Sequence, residues 1–290
     1  MASTLTAGEA FADVLAGLHD TVADLAERVC RSGDPELLHD LRVAVRQARA
    51  VVRAGRRVLT PEARDRCRAE LGRLADRTSL LRDLDVLLAG FDDLETEDAA
   101  ALAAVRARLV RRRASARGAL VRTLRSERFA ALMAGWRRDL AVPGGGPDAV
   151  RSARRVAGRR IATAWKRVAR AGRAIDDASP AEHFHTLRKR AKELRYLLDR
   201  LGGLTDPEAR DALIEMLKRL QDVLGAHQDA VAQRALVREA ADHAGAAAAG
   251  TELDRALAQR QAAARAGFAD AWAELDGSRS RRLVAEVTGD

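Results

Sequence analysis

The chain has 290 residues, of which 47% are apolar and only 3% aromatic, with a formal net charge of +9. A core of this composition is built mainly from Ala, Leu and Val. That favours helix packed on helix over a sandwich or barrel and leaves few rings to stack on unpaired bases. The charge points to a polyanionic partner. The preference for Arg adds little, because only four of 51 basic residues are Lys and Ala is abundant, biases that a GC-rich genome imposes on any protein.

In chain order, apolar residues recur three and four apart almost everywhere. The spacing predicts helices at 5–31, 35–59, 61–89, 95–125, 127–141, 148–177, 181–203, 207–241 and 249–275, and no strand. Pro35, Pro61, Pro180 and Pro207 stand at segment starts, where a missing N–H costs little. The start, "MASTLTAGEAFADVLAG", lacks the basic and apolar regions of a signal peptide, and no stretch reaches the ~18 apolar residues of a membrane span. Cys30 and Cys67 form no CxxC and read as reduced, buried thiols of a cytoplasmic protein. Trp136 and Trp165 read as core, His227 as a packing or helix-bend residue, "HAGAAAAG" at 243–250 as a helix junction, and the tail from Gly277 as frayed.

The stretch "HDLRVAVRQARAVVRAGRR", 39–57, carries a stripe of charge. At 3.6 residues per turn, His39, Arg42, Arg46, Arg49, Arg53 and Arg57 fall within an arc of about 80° that runs roughly 27 Å. Leu41, Val45, Ala48, Val52 and Leu59 form the apolar face beside it. Asp40 points elsewhere. An ordinary solvated face mixes signs three or four residues apart; this one repels itself unless carboxylates of other helices or a bound anion neutralise it. Residues 61–98 hold 11 acids, so interhelical ion pairs are one answer, with Asp83 and Asp229 as candidate partners. A third basic helix, with no acid in it, is "RSARRVAGRRIATAWKRVARAGR", 151–173, where Arg155, Arg159, Lys166, Arg170 and Arg173 share a face; the second is 185–195.

"VPGGGP", Val142–Pro147, interrupts the helical pattern and divides the chain into halves, 1–142 and 148–290, joined by the 143–147 linker. Laid over each other with a shift of 146, residues 35–86 and 181–232 are identical at 15 of 52 positions. His39 falls on His185, Arg42 on Arg188, Arg46 on Lys192, Arg49 on Arg195, and "PEARD" at 61–65 on "PEARD" at 207–211. This reads as an internal duplication. The match decays where Asp199 stands opposite Arg53 and Gly203 opposite Arg57.

"HDLRVAVRQAR" at 39–49, "RDLDV" at 82–86, "HTLRKRAKELRY" at 185–196 and "LQDVLGAHQDAV" at 220–231 together resemble the CHAD domain, the conserved histidine α-helical domain, over nearly the whole length. The resemblance implies one all-α domain over 1–290, made of two duplicated four-helix bundles about a pseudo-twofold axis and a basic central groove or pore. Its implied ligand is inorganic polyphosphate, with no cofactor. His39, Arg42, Arg46, Arg49, Arg53, Arg155, Arg159, His185, Arg188, Lys192 and Arg195 are the expected binding residues, the two of the third basic helix coming from the wheel. Localisation is expected to be cytoplasmic, with association to polyphosphate granules fitting the ligand. "RTSLLRDLDV" departs from the family, which has Leu-Gly where Thr78-Ser79 stand; the expected consequence is confined to local packing.

Arg suits such a polymer because its planar fork takes two phosphate oxygens at once, and many such contacts displace counterions. A histidine beside phosphates is expected to take up a proton. Three other readings compete, the last of them a purely structural bundle. His39-Asp40 resembles the "HD" pair of metal phosphohydrolases, but the repeat aligns Asp40 with Thr186, and His183 and His185 are turned about 200° apart by a helix. Ligand spacing for a metal is otherwise missing, so an enzyme is not expected. A double-stranded nucleic-acid binder would use the same charge.

Overall fold

The computed structural model describes residues 5–94, 96–176 and 178–289. Its helices are α1 (Ala7–Arg31), α2 (Pro35–Ala54), α3 (Pro61–Ala89), α4 (Ala99–Leu124), α5 (Glu127–Asp139), α6 (Ala153–Arg173), α7 (Ala181–Leu201), α8 (Pro207–Ala244), α9 (Ala247–Ala266), α10 (Phe268–Leu275) and α11 (Ser278–Thr288). The fold is all-α. Among the described residues the sole extended pairing is an isolated bridge between Thr6 and Ser152.

Local chemistry sets most of the boundaries. The Thr6 hydroxyl accepts from the Glu9 N–H while the Glu9 carboxylate reaches back to the Thr6 N–H, a reciprocal cap that starts α1. Asp34 and Asp206 cap α2 and α8, each followed by Pro at the first helical position. Gly245, at φ 67°, ends α8 in the left-handed conformation that glycine adopts without strain. The junction expected at 243–250 lies there.

Neighbouring helices pack pairwise, α1 on α2, α2 on α3, α6 on α7, α7 on α8 and α8 on α9. The two helices that the sequence alignment superposes, α2 and α7, lie directly against each other. Their apolar faces, including Leu41, Val45 and Val52 on one and Leu187, Leu194 and Leu198 on the other, belong to one continuous core. A second, smaller core joins the far ends of α3 and α8 to α4 and α9 through Leu84, Phe91, Leu109, Val237 and Leu253. Trp136 and Trp165 are buried, as expected. Cys67 is buried and free, its thiol pushed up to about 12 by burial; Cys30 is free and half-buried.

The differences from the sequence reading have identifiable causes. α2 stops at Ala54, five residues early, because Gly55 turns the chain and leaves room for Leu59 only by lacking a Cβ, which would sit 2.8 Å from the Leu59 side chain. α6 starts at Ala153, not 148, because the carbonyls of Ala149 and Arg151 accept from Gly8 and Ala7 at 2.8 Å. The expected limits Glu95 and Asp177 lie outside the described residues; α4 begins at Ala99 on its Asp98 cap. The 249–275 helix divides at Gly267. The tail is not frayed: α11 packs on α6 and α8, burying Ser280, Val284 and Val287.

"VPGGGP" is a fitted strap. Gly146 N–H donates to Val58 O at 2.9 Å and Asp148 N–H to Arg57 O at 2.7 Å. A Cβ on Gly144 would stand 2.2 Å from Val58 O, and one on Gly146 2.5 Å from Arg57 O. Glycine is required there by close backbone approach.

Candidate functional site

α2 and α7 each turn a basic row toward the seam between them, and α3 and α8 close the sides. His39, Arg42 and Arg46 from α2 face His185, Arg188 and Lys192 from α7 across a cavity of about 280 Å³. Arg82 and Asp83 of α3 and Gln228 and Asp229 of α8 complete it. A second cavity of about 390 Å³ continues from the first, sharing Arg46, Ser79, His185, Arg188, Lys192 and Tyr196, and adds Arg49, Arg53, Asp76, Lys189 and Glu193. Together the two are lined by eight Arg and Lys side chains against four carboxylates.

Burial, and behind it the crowding of like charge, shows in the protonation equilibria. Burial, with Arg188 and Arg46 alongside, pulls the Lys192 ammonium down to about 7. Burial and Arg46 pull Arg42 down to about 10. Arg49 and Arg188 are lowered by burial too, Arg188 in spite of Asp229. His39 is lowered by burial and Arg82, His185 by burial and Lys189. Burial also raises Asp83, against the pull of Arg42. In each case the low-dielectric setting disfavours the charged form, and the neighbouring cations deepen the effect on bases. The lining is chemically suited to an anion, whose charge would favour the protonated forms that burial disfavours.

Some of the expected stripe is already neutralised. Arg53 Nη1 donates to Glu193 Oε2 at 2.7 Å, and Arg57, beyond the end of α2, donates to Asp148 Oδ2 at 3.0 Å. Carboxylates from α7 and from the turn before α6 therefore take the far end of the row, and the near end is left to the cavity. Arg188 lies 3.5 Å from Asp229 Oδ1, the partner expected for it; Asp83 lines the cavity with no ion pair among the described residues.

Of the eleven expected binding residues, eight line these cavities. Arg195 does not; its guanidinium lies 5.4 Å from the centre of the Tyr196 ring. Arg155 and Arg159 sit exposed on α6, apart from both cavities, because α6 turns its buried face toward α1, α7 and α11. Arg173 of the same basic face pairs with Asp276. Asp40 is exposed and lines neither cavity.

The sequence reading missed Arg82, Lys189, Tyr196 and Gln228. Arg82 was within reach, since it opens the quoted "RDLDV"; Tyr196 aligns with Ala50, and both line the second cavity. The assignment of Thr78-Ser79 to local packing alone is corrected. Arg42 Nη1 donates to Thr78 Oγ1 at 2.9 Å and to Ser79 Oγ at 3.3 Å, so the departure from the family pair grips a cavity residue. His227 stacks on Phe184 with centroids 5.0 Å apart and is buried, a packing role.

An all-α protein with a cationic cavity between two matching basic helices is what the fold and geometry define. The CHAD domain family model matches residues 13–238, and the chain belongs to that family. Among solved structures, it is similar to the CHAD domain from the plant Ricinus communis at 24% identity and TM-score 0.73, covering 100% of this chain and 93% of that one. It is also similar to PptA from Streptomyces chartreusis at 22% identity and TM-score 0.71, covering 92% of this chain and 99% of that one. No curated protein is a significant match. Among the described residues, no helix is long and apolar enough to cross a membrane.

Proposed function

We propose that this chain binds inorganic polyphosphate without hydrolysing it, and that the cavity between α2 and α7 is the binding site. The carrying observation is the twofold excess of cationic over acidic side chains in two joined cavities, drawn from helices that the sequence aligns as duplicates. A linear polymer with a charge on every unit and no base or sugar suits such a lining. His39, Arg42, Arg46 and Arg49 on one side and His185, Arg188 and Lys192 on the other supply the contacts, mostly as charge-assisted hydrogen bonds to phosphate oxygens. The few aromatics offer little stacking for a nucleic acid.

The test is calorimetric titration with polyphosphate of defined length beside duplex DNA of equal charge. Expected is tighter binding of the polyphosphate, with affinity falling steeply as salt rises and with orthophosphate and ATP much weaker. Equal or tighter binding of the duplex would overturn the reading. Phosphate release from the polymer with Mg²⁺ or Mn²⁺, absent in an Asp40→Ala variant, would replace it with the hydrolase.

A further inference from the structure

On the far side of α3 from the central cavities, α3, α4 and α5 border a separate open groove of about 500 Å³. Its rim is basic. Arg73 and Arg77 of α3, Arg122 of α4 and Arg128 of α5 stand around it with one carboxylate, Glu70. Arg128 and Arg73 both bind that carboxylate, Arg128 through two hydrogen bonds at 2.9 and 3.1 Å, and together they hold it down at about 2. Glu70 is thereby shared, and Arg77 and Arg122 have no ion pair among the described residues. The floor is apolar, formed by Leu74, Phe129 and Leu132.

This space does not end at Glu70. A narrower pocket of about 140 Å³ shares Glu70, Arg128 and Leu132 with it and runs on along the α3–α5 seam past Cys67, Trp136 and Leu140. Trp136 is 1% exposed and its indole Nε1–H has no hydrogen-bond partner among the described residues. The groove is thus polarised along its length: Arg77 and Arg122, exposed and without ion pairs among the described residues, at the α4 end, and Cys67, Leu132, Trp136 and Leu140 toward the other, where the charged Arg66 and Asp139 are paired with each other. A phosphate-only ligand would use the first half and leave the second dry. A neutral apolar ligand would make no use of Arg77 and Arg122, which stand exposed at the groove's rim.

From this juxtaposition we infer that the α3–α4–α5 groove is a second ligand site, which takes a small amphipathic anion: a phosphate or carboxylate head on an aliphatic tail. The head lies between Arg77 and Arg122, where a charge-assisted contact from each is available. The tail lies over Leu132 toward Cys67 and Trp136, gaining burial of its methylenes. The site is independent of the proposed polyphosphate cavity, because none of its lining residues lines that cavity.

The probe is decyl phosphate, kept below its micelle concentration, titrated into the full chain. Trp136 reports through its fluorescence in a Trp165→Phe/Trp272→Phe background. Expected is saturable binding with a change in Trp136 emission intensity, weakened tenfold or more in Arg77→Ala/Arg122→Ala, a variant in which polyphosphate affinity changes less than twofold. Inorganic phosphate should not displace the probe. Unchanged decyl phosphate binding in Arg77→Ala/Arg122→Ala overturns the inference, as does full displacement by inorganic phosphate, which would leave an anion site with no use for the tail. If Arg46→Ala/Lys192→Ala abolishes decyl phosphate binding, the probe sits in the central cavity and the second site is wrong. Failure of polyphosphate to bind the unaltered chain would remove the proposed function and leave this inference standing.

Discussion

Arg42 and Arg188 are the same position of the two aligned segments, and the structure treats them differently. Arg42 is anchored by two hydroxyls, Thr78 Oγ1 at 2.9 Å and Ser79 Oγ at 3.3 Å. Position 224 carries Leu and position 225 Gly in the second copy. A Cβ on Gly225 would lie 3.7 Å from the Arg188 guanidinium, so that side offers backbone and space but no hydroxyl. Arg188 has only a 3.5 Å approach to Asp229, and its Nε has no hydrogen-bond partner among the described residues. One guanidinium is committed to its own protein and the other is held ready in the same cavity. The aligned segments keep the charge, and the pair at 78–79 against the pair at 224–225 on the neighbouring helices gives it different surroundings.

The comparison can be broken by mutation. The largest effect is expected for Arg188→Ala, which removes a cation held by its own protein through the 3.5 Å pair with Asp229 and no hydroxyl anchor: affinity for long polyphosphate should fall by about 1.5–3 kcal/mol. Arg42→Ala should cost less affinity and more thermal stability, since the side chain is buried and hydrogen-bonded. Titrations paired with thermal melts check both, and equal affinity losses would contradict the division of labour.

Next in size is the pH dependence. Lys192 sits at about 7 in the free protein, and an anion beside it raises that value, so binding takes up a proton when the side chain starts neutral. The sign follows: affinity should fall as pH rises above about 7, by at most about tenfold per pH unit for one proton. His39 and His185, both lowered in the free protein, act in the same direction at lower pH. Titrations between pH 6 and 9 in buffers of different ionisation enthalpy measure the uptake. A Lys192→Arg variant should flatten the profile above neutrality; an unchanged slope would mean that another group carries the proton.

A smaller change in the opposite direction is expected from Thr78→Leu/Ser79→Gly, which gives α3 the pair that α8 has. Releasing Arg42 should tighten polyphosphate binding severalfold, at a cost of about 1 kcal/mol in stability for a glycine inside a helix. Weaker binding would mean that the hydroxyls position Arg42 for the ligand instead of withholding it. Smallest is Arg53→Ala. Its guanidinium is half-exposed and already satisfied by Glu193, so the loss should stay below about 1 kcal/mol, whereas Glu193→Gln should free Arg53 and strengthen binding slightly.

Much of this molecule was legible before folding was considered. Periodicity located the helices, prolines and capping residues located most starts, and the angular order of His39, Arg42, Arg46 and Arg49 described a row that the structure turns into a cavity wall. The row from Arg155 to Arg173 looked equally convincing on a helical wheel, yet α6 presents it to solvent. A wheel states which residues share a face and says nothing of what that face meets. The ends of the rows were misread for the same reason. Arg53 is taken by a glutamate 140 positions away, and Arg57 leaves the helix because Gly55 ends it.

The sequence by itself determined the helical class, the matching basic segments, the family resemblance and the residue types able to hold phosphate, because these depend on local period, composition and spacing. The tertiary structure decided which cations remain free and how they titrate. Those properties depend on burial and on partners brought within a few ångströms from distant parts of the chain: Thr78 on Arg42, Glu193 on Arg53, Arg188 and Arg46 on Lys192. Electrostatic energy inside a protein follows distance and dielectric, and neither can be read from the order of residues along a strand of text.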